Sequence, residues 1–300
     1  MNKAVDAGRR EIFLTGSSGN RLAASRFAAA RADAPKVLLM HGGGQTRHSW
    51  SATAQNLAVA GFDAVTLDLR GHGDSAWIED GGYNSYDFAR DAACAADEIA
   101  RPGGARPVAI GASLGGLTAL LALGTRADLF AGLVLVDVTP VLKPSGLANV
   151  HNFMRARAEE GFATVEEAAD AIALYLPHRP RPKSLAGLAK NLRKKADGRY
   201  YWHWDPRFLA GLPTSVPDRD HIRAKLSEAA RGLTIPTLLV RGGQSELVGP
   251  EEAAAFKALC PHAEIAEVAK ARHMVAGDAN DAFGAAMLGF LRRHFGEGRG

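Results

Sequence analysis

The chemistry of this chain gathers first at Gly111-Ala112-Ser113-Leu114-Gly115-Gly116, where a serine stands among residues with little or no side chain. The segment lies between an apolar run, Pro107 to Gly111, and a helical stretch, Leu114 to Leu123, so it reads as a strand, a sharp turn and a helix. A G-x-S-x-G turn of this kind forces the serine into a strained backbone and tolerates only tiny neighbours. It carries the hydroxyl beyond the sheet, toward the N-terminal amides of the helix. Serine needs a base to attack at neutral pH. Among ten histidines, His273 in Ala271-Arg272-His273-Met274-Val275 follows the last expected strand and precedes the terminal helix, which suits that base. The residue that orients it is expected to be Glu246, the first carboxylate after the strand Thr237 to Val240. Asp137, at the end of Leu133 to Val138, is its rival. His41-Gly42-Gly43-Gly44 follows another buried run, Val37 to Met40. Its backbone can aim an amide at a developing oxyanion, with the N–H groups of Gly43 and Leu114 forming the hole. Gln45-Thr46 stands where a phosphate-cradling loop needs Lys and then Ser or Thr, so nucleotide binding is not indicated.

These residues require strands to deliver them and helices to carry the chain back. Glu11 to Thr15 and Arg21 to Ala28 read as strands joined by a turn, and Ala64 to Leu69 and Ala263 to Val268 as further strands. Trp50 to Ala60, Tyr86 to Ala100, Pro250 to Leu259 and Asp278 to Phe295 read as helices, with Asp278 as an N-cap. Strand and helix in alternation imply a parallel sheet covered on both faces. From Val141 to Gly232 no buried strand is expected. That stretch reads as charged helical pieces, His151 to Glu160, Val165 to Leu176, Leu185 to Lys195 and His221 to Arg231, broken by prolines. The expected division is a core of residues 1–140 and 233–300 with a helical cap of residues 141–232.

Three hundred residues, 47% of them hydrophobic and 23% charged, suit a globular core with an insertion. No apolar run reaches the length of a membrane span, and the first residues lack the pattern of a secretory signal, so a cytoplasmic protein is expected. Cys94 and Cys260 are far apart, which excludes a disulfide framework and a Cys₄ zinc site, and no metal is expected. The net charge of +4 is spread among acids. Its densest cluster, His178 to Lys195, reads as a solvated face rather than a nucleic-acid surface.

Together His41-Gly42-Gly43-Gly44, Asp68-Leu69-Arg70-Gly71-His72-Gly73-Asp74-Ser75, the turn around Ser113 and His273-Met274-Val275 resemble the α/β-hydrolase superfamily. The likeness is to its capped branch of esterases, lactonases and carbon–carbon hydrolases, and it covers nearly the whole chain outside the cap. It implies a doubly wound, mostly parallel eight-stranded sheet with a helical cap inserted after the sixth strand. It also implies an acyl-enzyme at Ser113, no cofactor, and a small ester or lactone as substrate. Ser113 stands where the epoxide hydrolases and dehalogenases of this fold carry aspartate, which argues against those activities. Glu246 stands where relatives more often show aspartate, which keeps Asp137 in play, and His72 is expected to be structural.

Tyr200-Tyr201-Trp202-His203-Trp204 is rich in rings for a chain only 7% aromatic. Trp202 and Trp204 are expected either to hold the cap to the core or to line a substrate pocket. Two other functions stand beside ester hydrolysis. One is carbon–carbon hydrolysis or a perhydrolase reaction by the same residues, and the other is a binding or sensing module with little turnover.

Overall fold

The computed structural model describes residues 8–101, 104–177, 185–189, 191–213, 215–269, 271–272 and 280–296. In chain order the strands are β1 (Arg9–Thr15), β2 (Arg21–Phe27), β3 (Lys36–Met40), β4 (Asp63–Leu67), β5 (Val108–Ala112), β6 (Gly132–Val136), β7 (Leu192–Lys194), β8 (Tyr200–Trp202), β9 (Thr237–Gly242) and β10 (Glu264–Val268). The helices are α1 (Ser51–Val59), α2 (Ser85–Ala100), α3 (Leu114–Thr125), α4 (Pro144–Arg155), α5 (Val165–Tyr175), α6 (Ala186–Ala189), α7 (Phe208–Gly211), α8 (Val216–Arg231), α9 (Pro250–Leu259) and α10 (Asn280–Phe295).

Eight strands form one sheet in the order β1-β2-β4-β3-β5-β6-β9-β10. β2 runs antiparallel to both its neighbours, and β4 through β10 are mutually parallel within this sheet. The central strands are buried on both faces, which is why they read as unbroken apolar runs. Alternate residues go to opposite layers. Leu38 and Met40 of β3 pack with Ala92 and Ala96 of α2 and Leu120 of α3, whereas Val37 and Leu39 pack with Leu57 of α1 and Phe290 of α10. The first layer also takes Leu226, Ala229 and Ala230 of α8. The chain thus forms a mostly parallel, doubly wound eight-stranded sheet.

β6 and β9 are neighbours in the sheet, yet about a hundred residues separate them, so the intervening chain leaves the sheet and returns beside its starting point. It is mainly helical, but it differs from the sequence expectation in several places; the helix expected from His221, for example, begins at Val216 with Pro217 in its first turn. The helix expected from His151 begins at Pro144, which occupies a first-turn position where its missing N–H costs nothing, and it ends at Arg155. Leu185 to Lys195 is not one helix. A single turn, α6, gives way to β7, which pairs antiparallel with β8. Gly198, at φ 82°, closes that hairpin with its N–H on the Lys195 carbonyl at 3.0 Å. Helical periodicity is uninformative over a segment this short.

Candidate active site

β5 brings the chain to Ser113 and α3 carries it away from Leu114. Ser113 holds φ 46° and ψ −115°, a conformation that costs a side-chain-bearing residue about 1–3 kcal/mol. The surroundings enforce it. The Ser113 N–H donates to the Val136 carbonyl at 3.3 Å, and its own carbonyl accepts from Gly116 and Leu117 at 3.0 Å each. A Cβ at Gly111 would overlap the Gly115-Gly116 backbone, and one at Gly115 would overlap the carbonyls of Met40 and His41. Glycine here permits the close approach of β3, β5 and the start of α3 on which the turn depends.

The loop after β3 lies directly against this turn. A Cβ at Gly42 would sit 3.4 Å from that of Ser113. Gly42 and Gln45 close a turn, with the Gln45 N–H on the Gly42 carbonyl at 3.1 Å and Gly44 at φ 75° in its third position. Four N–H groups open a helix without intrahelical acceptors. At the start of α3, Ser113 donates to the Val136 carbonyl at 3.3 Å, Gly115 to the His41 carbonyl at 3.1 Å and Gly116 back to the Ser113 carbonyl at 3.0 Å. Leu114 is the fourth, and it lies beside the hydroxyl-bearing residue. His41 is fully buried: its Nε2 accepts from the Leu69 N–H at 3.1 Å, which puts the proton on Nδ1, 2.8 Å from the Gly42 carbonyl. Burial pushes its pKa down to about 4, so the ring is a neutral strut. His72 is likewise fully buried, with its pKa pushed down to about 3 by burial and then by His41, 5.2 Å away between ring centres.

A buried ion pair that the sequence did not reveal fixes the same loop from behind. Asp68, at the end of β4, accepts from the Arg47 backbone N–H at 2.5 Å, from the Arg47 guanidinium, and from the Asp74 N–H at 2.9 Å. Arg47 also reaches Glu11 at 2.9 Å and Asp74 at 2.7 Å. Arginine in a loop carries no local signal of burial. Only the meeting of the β3 and β4 loops makes it a strut.

The two candidate carboxylates occupy different environments. Asp137 follows β6, whose Val136 pairs with Ala112 of β5, so it stands at the strand end next to Ser113. It is fully buried at φ 50° and donates its N–H to the Val240 carbonyl at 2.7 Å. Its Oδ1 accepts from the Gly242 N–H at 2.9 Å and its Oδ2 from the Ser245 hydroxyl at 2.5 Å. Glu246 is 43% exposed in its side chain and holds Arg272 at 2.6 Å. His273 and Asp278 lie outside the described residues. Arg272, the last described residue before His273, has its carbonyl 2.5 Å from where a Cβ at Gly242 would stand, and the Gly242 amide holds Asp137.

α4 crosses above these loops. Near its start, a Cβ at Gly146 would overlap the Glu246 carbonyl; near its end, Met154 Sδ lies 3.6 Å from a Cβ placed on Gly43. Phe208 and Trp204 close the other side, with the indole Nε1 3.7 Å from a Cβ placed on Gly44. Trp202 packs instead on Phe162 and Phe153, at 5.0 and 5.8 Å between ring centres. A cavity of about 720 Å³ opens beneath α4. Leu114, Leu117, Leu147, Leu226 and Phe88 line its apolar part, and His151, Arg155, Arg219, Asp220 and Arg223 also face it. Neither tryptophan lines it. Among the described residues, no group of three or more His, Cys, Asp or Glu side chains is set to hold a metal ion. No helix there is long and apolar enough to cross a membrane.

Comparison with known proteins bears on this arrangement. The model of the α/β hydrolase fold family matches residues 35–279. The esterase Rv0045c of Mycobacterium tuberculosis is 32% identical over 265 residues, covering 86% of this chain and 84% of its own. An sn-1-specific diacylglycerol lipase of Mus musculus is 26% identical over 262 residues, covering 86% and 81%. The crystal structure of E-2-(acetamidomethylene)succinate hydrolase superposes with a TM-score of 0.80 at 23% identity, covering 94% of this chain and 99% of that one, a likeness of fold.

Proposed function

The chain belongs to the α/β-hydrolase fold family and is a hydrolase, and we propose that it cleaves carboxylic esters of small molecules through an acyl-enzyme at Ser113. The observation that carries this reading is the backbone of Ser113, held at φ 46° between β5 and α3 with the glycine loop of β3 against it. An ordinary helix N-cap has an extended backbone and needs no such strain. The similarity to an esterase over most of the chain supports the same bond type.

In the proposed reaction, His273 takes the Ser113 hydroxyl proton as Oγ bonds to the substrate carbonyl carbon. The carbonyl electron pair moves to oxygen, where the N–H groups of Gly43 and Leu114 receive the charge. The tetrahedral adduct collapses, the ester C–O bond breaks, and His273 returns the proton to the departing alkoxide. Water then attacks the acyl-enzyme, giving its proton to His273, and the carboxylic acid leaves as Ser113 is reprotonated.

For the carboxylate that orients His273, the reading favours Asp137 over Glu246. A carboxylate does this work best when buried, held in one orientation and near the base. Asp137 is buried with both oxygens engaged, and its Gly242 partner abuts the carbonyl of Arg272, one residue before the histidine. Glu246 is part-exposed and already paired with a cation.

The test is hydrolysis of p-nitrophenyl acetate and butyrate by wild type and Ser113→Ala. Wild-type turnover that falls by about 10⁶ in the variant is the expected result for a serine nucleophile. Equal rates in the two proteins would end the proposal.

A further inference from the structure

Resting on the ester hydrolase reading, we propose that the substrate is anionic: an apolar arm of it fills the cavity under α4, and a carboxylate at the far end of that arm is held by Arg155 and Arg219. Three observations combine. Leu114, the residue that follows Ser113, is a wall of the cavity, which sets the space beside the turn that carries the hydroxyl. The wall near α3 is apolar and largely buried, with Phe88 and Leu226 almost wholly covered, which suits a hydrocarbon arm and nothing charged. Away from it the lining turns cationic, with His151 and Arg155 one helical turn apart on α4 and Arg219 and Arg223 one turn apart on α8.

Among the described residues that line the cavity, Arg155, Arg219 and Arg223 stand with one carboxylate, Asp220, which pairs with Arg223 at 3.0 Å. The elements also meet electrostatically. His151 has its pKa lowered first by burial and then by the positive charges of Arg155 and Arg219, so cations of α4 and α8 converge on one place. An anion seated between these arginines accepts charge-assisted hydrogen bonds from planar guanidinium groups. A neutral ester of the same length offers no such exchange. The cationic mouth also attracts an anion before contact, an effect that salt weakens.

The experiment compares two matched pairs of esters. In the first the charge is on the acyl arm, p-nitrophenyl hydrogen glutarate against its methyl-capped diester. In the second it is on the alcohol arm, 4-(carboxymethyl)phenyl butyrate against its methyl ester. In at least one pair, wild type is expected to favour the anionic member by about tenfold in kcat/KM, the low end for a charge-assisted hydrogen bond at an open mouth. That ratio should shrink toward one in Arg155→Gln and Arg219→Gln and in high salt, and persist in Arg31→Gln, whose arginine lies far along the chain between β2 and β3. Hydrolysis of both members of each pair at equal rates would overturn the anionic specificity and leave the ester hydrolase standing. If no ester is turned over, the ester hydrolase reading falls, and calorimetry with Ser113→Ala decides the remaining question. Binding of monomethyl glutarate that is lost in the Arg155→Gln and Arg219→Gln backgrounds supports the anion site, and binding that ignores those changes refutes it.

Discussion

Asp137 and Glu246 show how burial separates two carboxylates that look interchangeable in a chain of letters. An acid that steadies an imidazolium must not trade partners with solvent, and Asp137 is walled in by the Gly242 amide and the Ser245 hydroxyl. If it serves His273, Asp137→Asn should lower kcat by about 10⁴ with little change in KM, as loss of an orienting carboxylate does. Glu246→Gln should keep most of the activity while weakening the surface pairing with Arg272. Steady-state kinetics of the two variants distinguish the roles, and the reverse ranking would return the role to Glu246. At the same scale, Arg47 spans Asp68, Asp74 and Glu11 from a buried position. Arg47→Met strands the Asp68 charge and should cost about 3–5 kcal/mol of stability, measured by urea unfolding.

At the scale of elements, the proposed site depends on how closely three backbones approach. Gly115 has the carbonyls of Met40 and His41 where a methyl would stand. Gly115→Ala should therefore push α3 away from β3, lowering stability by about 1–3 kcal/mol, the usual cost of overpacking. It should also depress kcat more than KM, because the proposed oxyanion donors Leu114 and Gly43 would be moved apart. Thermal unfolding together with kinetics checks both. α4 is the other decisive element. Gly146 lets it rest on the Glu246 carbonyl while Met154 reaches the Gly43 loop, so one helix roofs the loops after β9 and β3.

For the molecule as a whole, two buried imidazoles under the loops tie stability to pH. His41 and His72 have folded pKa values near 4 and 3, below the unfolded value of about 6.5. The unfolded chain therefore binds more protons at mildly acid pH. Their contribution is complete above pH 6.5 and is lost as the pH falls toward 4 and then 3. At pH 5 the loss is about 2 kcal/mol for each ring. Urea midpoints measured from pH 7.5 to 4.5 should fall steadily below 6.5, and a flat profile would mean that the rings are not buried in their neutral form.

What the sequence alone determined is local. The apolar runs marked the strands, the strand–glycine–serine–glycine–helix order marked the turn at Ser113, and the change of pattern after Thr139-Pro140 marked the insertion. Each of these rests on neighbours within a few residues, where periodicity and backbone sterics act. What only the tertiary structure decided depends on distance in space. It set Asp137 deep beside the end of β5 and Glu246 out at a surface pair, and it made Arg47 a strut of the β3 loop. It turned part of an expected helix into the β7–β8 hairpin, and it brought Arg155 and Arg219, more than sixty positions apart, to one cavity. Burial, charge pairing and cavity shape arise from contacts among distant segments, and a residue's type and immediate neighbours carry no record of them.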